Sequence, residues 1–155
     1  MPVLVTESDF DLAAEYRNSL DRAKDTPGAL VQFVGLVRDF NQGDGVATLE
    51  LQHYPGMTES VIEDICVQAT QRWKIDEPTV IHRFGRLQPK DQIVLVSVTS
   101  AHRADAFAAC EFIMDQLKTK ATFWKKEQPN KDAKNSEHWL EMKESDRQRA
   151  QRWDK

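Results

Sequence analysis

Gln92-Ile-Val-Leu-Val-Ser-Val-Thr-Ser100 is the stretch whose reading decides the fold. Ile93, Leu95, Ser97 and Thr99 share one face of an extended chain, and Val94, Val96 and Val98 share the other. A segment apolar on both faces over most of its length belongs in the middle of a sheet, covered on both sides. His102-Arg103 stands just past its end, and a helix from about Ala104 to Lys118 follows. In that helix Phe107, Ala108, Cys110, Phe112, Ile113, Met114 and Leu117 spread around most of the circumference. Such a helix is buried, either in a core or at a subunit interface.

Before the central strand, Pro78 opens a strand over Thr79 to Leu87, and Gln88-Pro-Lys-Asp91 turns the chain. Val61, Ile62, Ile65, Cys66, Ala69 and Trp73 recur at helical spacing, with Thr58 as the cap after Pro55-Gly56. Ala29 to Arg38 is a dense β-like run with Gly35 inside it, which suggests a bulge or a close approach by another group. Ala47 to Tyr54 alternates, so the two runs are expected to pair across a mobile Asn41–Gly45 turn. At the N-terminus, Val3 to Thr6 reads as a short strand. Ser8 is placed to cap a helix through Leu12, Ala13, Tyr16 and Leu20, which Thr26-Pro27-Gly28 ends. After the buried helix come an extended Thr122–Glu127, a polar loop over Gln128–Ser136, a short strand over His138–Met142 and a charged helix over Ser145–Trp153. The class is α+β with a largely antiparallel sheet, and residues 1–155 are expected to form a single domain.

Composition removes several functions. The net charge is −4, from 21 basic and 25 acidic residues. Broad nucleic-acid binding needs a basic footprint, so nucleic acid is not an expected partner. No apolar run approaches the roughly 20 residues of a membrane helix. The start, MPVLVTESDFD, has no basic region followed by an apolar stretch, so a cytoplasmic location without membrane contact is expected. Cys66 and Cys110 form no CxxC pair and sit among apolar neighbours, as small buried hydrophobes do. His53, His82, His102 and His138 are scattered without metal-ligand spacing, and His53 and His82 lie inside strand patterns. No P-loop, GxGxxG or Gly-x-Ser-x-Gly is present.

Positive residues gather at element ends. Arg38 follows the first long strand, His102-Arg103 follows the central strand, and Lys118 to Lys126 surround the end of the last long helix. Functional groups collect at such positions on a rigid scaffold. A solvated surface charge is the plain alternative for each, and for Lys118 so is the favourable placement of a cation at a helix C-terminus. Residue spacing leads as far as an α+β domain with a local anion pocket.

Five stretches, in order, carry more. They are Leu51-Gln-His-Tyr-Pro-Gly-Met-Thr-Glu59, Val80-Ile-His-Arg-Phe-Gly85, Ser97-Val-Thr-Ser-Ala-His-Arg103, Phe112-Ile-Met-Asp-Gln-Leu-Lys-Thr-Lys120 with Phe123-Trp-Lys-Lys-Glu127, and Glu141-Met-Lys-Glu-Ser-Asp146. From about residue 28 to 153 the chain resembles the large, catalytic subunit of molybdopterin synthase. The resemblance implies an α/β hammerhead fold with an additional antiparallel β-sheet. It also implies a homodimer of large subunits within a heterotetramer, with a small ubiquitin-like sulfur-carrier subunit at each end. That partner ends in Gly-Gly as a thiocarboxylate.

The substrate so implied is precursor Z, a cyclic pyranopterin monophosphate, which receives two dithiolene sulfurs. No cofactor and no metal are implied for the step. Lys118 matches the family's essential lysine and Lys125 a second important one. Arg38, His102 and Arg103 match the substrate-anion site, with Leu36 and Val37 before Arg38 and with Lys126 and Glu127 after Lys125. Lys143 stands where the resemblance leads one to expect Arg; lysine keeps the charge but loses the bidentate fork. Arginines suit a phosphate, and a lysine inside a cationic cluster can serve as acid or base near neutral pH. Two other readings remain at this level: a non-catalytic module binding an anionic pterin or nucleotide, and an adaptor for a ubiquitin-like protein.

Overall fold

The computed structural model describes residues 2–38, 46–121, 123–129, 138–140 and 144–154, and for residues 46, 47, 125–129 and 138–140 it describes the backbone alone. In chain order the elements are β1 (Val3–Thr6), α1 (Leu12–Arg22), β2 (Ala29–Leu36), β3 (Val46–His53), α2 (Met57–Arg72), β4 (Thr79–Arg83), β5 (Gly85–Leu87), β6 (Gln92–Ser100), α3 (Arg103–Lys120), β7 (Phe123–Pro129), β8 (His138–Leu140) and α4 (Glu144–Gln151). The architecture is α+β, as the alternation of long helices and strands implies.

β6 is central because its sequence allows nothing else. Val94 through Ser100 are all buried, and β6 lies between β4 and β2 in a sheet ordered β1-β4-β6-β2. Val94, Val96 and Val98 enter the main core with Ile62, Ile65 and Ala69 of α2 and with Ala109, Phe112 and Ile113 of α3. On the opposite face the Ser97 hydroxyl meets the Ser19 hydroxyl of α1 at 2.8 Å. β1 joins β4 in parallel, and β4 and β2 flank β6 antiparallel. Fully burying each such aliphatic side chain stabilises the fold by about 1.5–3 kcal/mol, so covering both faces locks β6 in the middle.

A second sheet, ordered β5-β3-β7-β8, is antiparallel throughout. Leu49, Leu51 and Leu87 form its small core with Val37. The expected pairing of the 29–38 run with the 47–54 run does not occur. β2 pairs with β6 and β3 with β5 and β7, so each run belongs to a different sheet. Alternation identified both as strands, but partner choice was set by cores formed with distant segments. The Asn41–Gly45 turn lies outside the described residues.

The single strand expected over Thr79–Leu87 is two strands in two sheets, β4 and β5. Gly85 makes the switch with φ +88°, a left-handed conformation open to glycine at little cost. Gly35 behaves as read. The β2–β6 register shifts between Gly35 and Leu36, and a Cβ at Gly35 would stand 2.6 Å from Val94 Cγ1. Two caps differ from expectation. Asp11, not Ser8, caps α1 by accepting from the Ala13 and Ala14 amides at 2.9 and 3.1 Å. Gly56 rather than Thr58 starts α2, with Glu59 accepting from the Gly56 amide at 2.6 Å. Among the described residues no helix is long and apolar enough to cross a membrane.

Candidate active site

α3 carries Arg103 and Lys118 and is capped by His102. It runs from Arg103 to Lys120, and Ala106, Ala109, Phe112, Ile113 and Leu117 press it into the main core. The helix is therefore fixed, and its two ends carry His102 with Arg103 at one and Lys118 at the other.

At its start His102 is the N-cap residue, with extended backbone and no side-chain capping hydrogen bond. The His102 amide donates to the Ser100 hydroxyl at 3.2 Å, which anchors the junction with β6. The His102 and Arg103 side chains stand exposed. First-turn N–H groups of a helix without a side-chain cap favour an anion, and the Arg103 guanidinium beside them adds to that preference.

At its other end Lys118 is exposed in the last turn. It lines a groove of about 480 Å³ whose walls are Val31 and Phe33 of β2, Met114 of α3, and Asp146 and Arg149 of α4. A larger cavity of about 730 Å³ lies elsewhere, against Cys66 of α2. Its charged lining is Glu63 and Glu77 with Lys24, a poor match for an anion.

The chain then returns through β7. Register places Lys125 opposite Leu51, Lys126 opposite Glu50, and Glu127 opposite Leu49. Phe123, at the head of β7, stacks on the His82 ring with centroids 3.7 Å apart. His53 lies 6.1 Å from Phe123 and 4.4 Å from Phe84. His53 and His82 are thus packed against aromatic rings where the two sheets meet, consistent with their strand patterns.

Leu36 is 52% exposed, whereas Val37 is buried. The Val37 amide donates to the Asp91 carbonyl, and its own carbonyl accepts from the Lys90 amide, both at 2.9 Å. Arg38 is exposed immediately after this anchor. Val37 shares the small core with Leu51, the register partner of Lys125. The Arg38 and Lys125 segments are therefore drawn to one sheet junction.

One separation matters most. The rise of α3 between Arg103 and Lys118 is about 22 Å. A single chain therefore does not bring His102 and Arg103 to Lys118; the sequence reading grouped them in one pocket and allowed a neighbouring chain to supply His102 and Arg103.

Sequence reasoning missed the packing of α4. Asp115, 6% exposed, accepts from Arg149 Nε at 3.3 Å, from Arg152 Nη2 at 2.9 Å and from Trp153 Nε1 at 2.7 Å. A lone acid among Phe112, Ile113 and Leu117 was the available signal, but its partners lie in another element. Both thiols are inert. Burial pushes Cys66 and Cys110 up to about 12 from an ordinary 9.0, so neither supplies a thiolate near neutral pH. Among the described residues no group of three His, Cys, Asp or Glu side chains could hold a metal ion.

The frame is that of an α+β protein with two sheets, in which a buried helix packed on the first sheet exposes basic residues near both of its ends. Residues 5–120 match the MoaE protein family, and the chain belongs to that family. It is 51% identical over 152 residues to the molybdopterin synthase catalytic subunit of Vibrio cholerae, covering 98% of this chain and 97% of that one. The solved molybdopterin biosynthesis MoaE protein of Burkholderia ambifaria superposes with a TM-score of 0.82 at 45% identity, covering 99% and 97%. A chain of the Helicobacter pylori protein–protein complex of subunits 1 and 2 of molybdopterin-converting factor has a TM-score of 0.71 over 91% of each chain. At 17% identity that likeness speaks to the fold alone. The activity is that of a molybdopterin synthase catalytic subunit, a sulfur-transferring enzyme of molybdenum cofactor biosynthesis.

Proposed function

We propose that the chain, acting as one domain in the cytoplasm, converts precursor Z to molybdopterin at a site completed by a second copy of itself. The carrying observation is the length of α3. Lys118 and the His102–Arg103 pair sit at opposite ends of a rigid helix, about 22 Å apart. A two-fold arrangement that lays α3 antiparallel to its mate brings the partner's His102 and Arg103 towards Lys118. Apolar surface is available for such a contact: Phe107 of α3 is 61% exposed and Phe33 of β2 is 42% exposed. Phe33 and Phe107 both line the groove that holds Lys118.

In this reading Arg38, with the partner's His102 and Arg103, holds the cyclic phosphate through charge-assisted hydrogen bonds. Leu36, Val37, Lys126 and Glu127 flank the pterin. A small ubiquitin-like subunit delivers sulfur as a thiocarboxylate at its Gly-Gly end, and the glycines allow entry into a narrow channel. The sulfur attacks a side-chain carbon of the pterin and the cyclic phosphate opens. Lys118 transfers a proton or stabilises the developing negative charge, and Lys125 assists. Water releases the spent carboxylate, and a second loaded partner repeats the step. Inert thiols suit this route, because the sulfur arrives from outside.

The test is a reconstituted assay with precursor Z and thiocarboxylated small subunit. Lys118→Ala should lower turnover by about 10²–10⁴-fold, the usual contribution of a proton-transferring group. Its melting temperature should hardly move, because Lys118 is exposed. Lys125→Ala should have a strong but smaller effect. Near-normal turnover by the Lys118→Ala variant removes that lysine from the mechanism.

A further inference from the structure

We infer that the C-terminal segment, α4 and the turn after it, positions the Asp115 carboxylate so that it does not pair with Lys118. The inference rests on the proposal that Lys118 is the reacting lysine. Asp115 lies three residues before Lys118 on α3, and both line the same groove. Side chains at that spacing are neighbours on a helix surface, and an acid and a lysine so placed attract each other. Left alone, Asp115 would be a ready partner for the Lys118 amine.

The structure shows Asp115 fully engaged elsewhere. Oδ1 accepts from Arg149 Nε at 3.3 Å, and Oδ2 accepts from Arg152 Nη2 at 2.9 Å and Trp153 Nε1 at 2.7 Å. Glu111, one turn earlier, takes Nη2 of Arg149 and Nη2 of Arg152, each at 2.7 Å. Two carboxylates thus face two guanidiniums, so the cluster is neutral and has no need of a third cation. Trp153 holds the assembly in place, packing edge-on against Trp73 and Phe112 at 5.5 and 5.6 Å, with the Arg152 guanidinium 4.7 Å above its ring.

The other charged or titratable groups along this groove are Glu111 and Cys110 of α3, and Asp146 and Arg149 of α4. From β2 only Val31, Gln32 and Phe33 face it. Glu111 is held in the same cluster and the Cys110 thiol is neutral. Asp115 is therefore the α3 carboxylate nearest in sequence to Lys118, and Arg149 of α4 with Arg152 and Trp153 just beyond it restrain it. A carboxylate that captured Lys118 would hold the amine as a paired ammonium, less able to take up or give a proton.

The experiment uses the full chain and site-resolved mass spectrometry of acetylation by limiting acetic anhydride. Lys120, exposed on the same helix but five residues from Asp115, is the internal control. In the Arg149→Gln/Arg152→Gln variant, acetylation of Lys118 relative to Lys120 should slow about twofold, the scale of one such pair. Adding Asp115→Asn should restore the ratio. Turnover of the reconstituted complex should fall and recover in step, with KM for precursor Z little changed.

Trp153→Phe keeps the ring and drops one donor, so it should shift the ratio in the same direction by less. It also serves if the double variant does not fold. An unchanged Lys118:Lys120 ratio, or a lowered one that Asp115→Asn does not restore, overturns the inference. Full turnover by Lys118→Ala would instead overturn the catalytic assignment, while the acetylation ratio would still report on Asp115.

Discussion

The two ends of α3 are built differently. At the start, His102 and Arg103 stand exposed beside uncapped helix N–H groups. At the end, Lys118 borders a groove walled by β2 and α4, and an ionic cluster around the buried Asp115 fixes the neighbouring turn. One end thus has anion anchors without walls, and the other has walls and a lysine without the anchors. The helix between them is locked in the core and cannot shorten the distance. In the proposed site each end of α3 supplies one half, and a second copy supplies the other.

The contrast can be probed from the anchor end first. Arg103→Ala should lower turnover by about 10- to 100-fold, because a hydrogen bond to a charged group contributes about 1.5–3 kcal/mol. The loss should appear mainly in kcat/KM, with melting unchanged for so exposed a residue. A variant that binds and turns over precursor Z normally would strip the start of α3 of its role.

Next in size is the contact itself. Phe107→Asp puts a charge on the exposed apolar surface of α3 and should weaken self-association by about tenfold or more, since burying an aromatic contributes about 1.5–3 kcal/mol. Sedimentation at micromolar concentration measures this. Association as tight as in the wild type would move the interface elsewhere.

The smallest effect concerns the buried thiols, one under each long helix. Cys66 and Cys110 titrate near 12 in the fold and near 9.0 when unfolded. Below about pH 9 both states carry the proton and stability is undiminished. Between 9 and 12 only the unfolded chain ionises, so stability should decline over that window. Denaturant titrations at pH 8 and pH 10 check it, and Cys110→Ser should flatten the decline.

Much of this was legible in the sequence, for identifiable reasons. The two-faced apolarity of 92–100 marked a central strand, and the all-round apolarity of α3 marked a helix pressed into the core, though Phe107 stays exposed. Strand partners were not legible. Val37 joins Leu49 and Leu87 in one small core, and neither alternation nor turn chemistry records that meeting. Gly85 was visible as a residue, but its left-handed φ, which splits the 79–87 run, depends on the second sheet. Among the site residues, the individual cations were readable at element ends. Their separation was readable too, since α3 has a fixed rise per residue. The Asp115 cluster was not, because its donors lie 34 to 38 residues away in α4 and the turn after it, whose docking the sequence does not specify.

The central claim is that Lys118 and the His102–Arg103 pair meet only between copies. Mixed dimers test it directly. One copy carries Lys118→Ala and the other Arg103→Ala, with different affinity tags so that the mixed species is purified by two successive captures. If the site is shared, one of its two sites has both residues intact and the other lacks both. Such a dimer should recover about half of the wild-type turnover, far above either parent homodimer. Activity no greater than the mean of the two parent variants would show that both groups act within one chain, and would contradict the account.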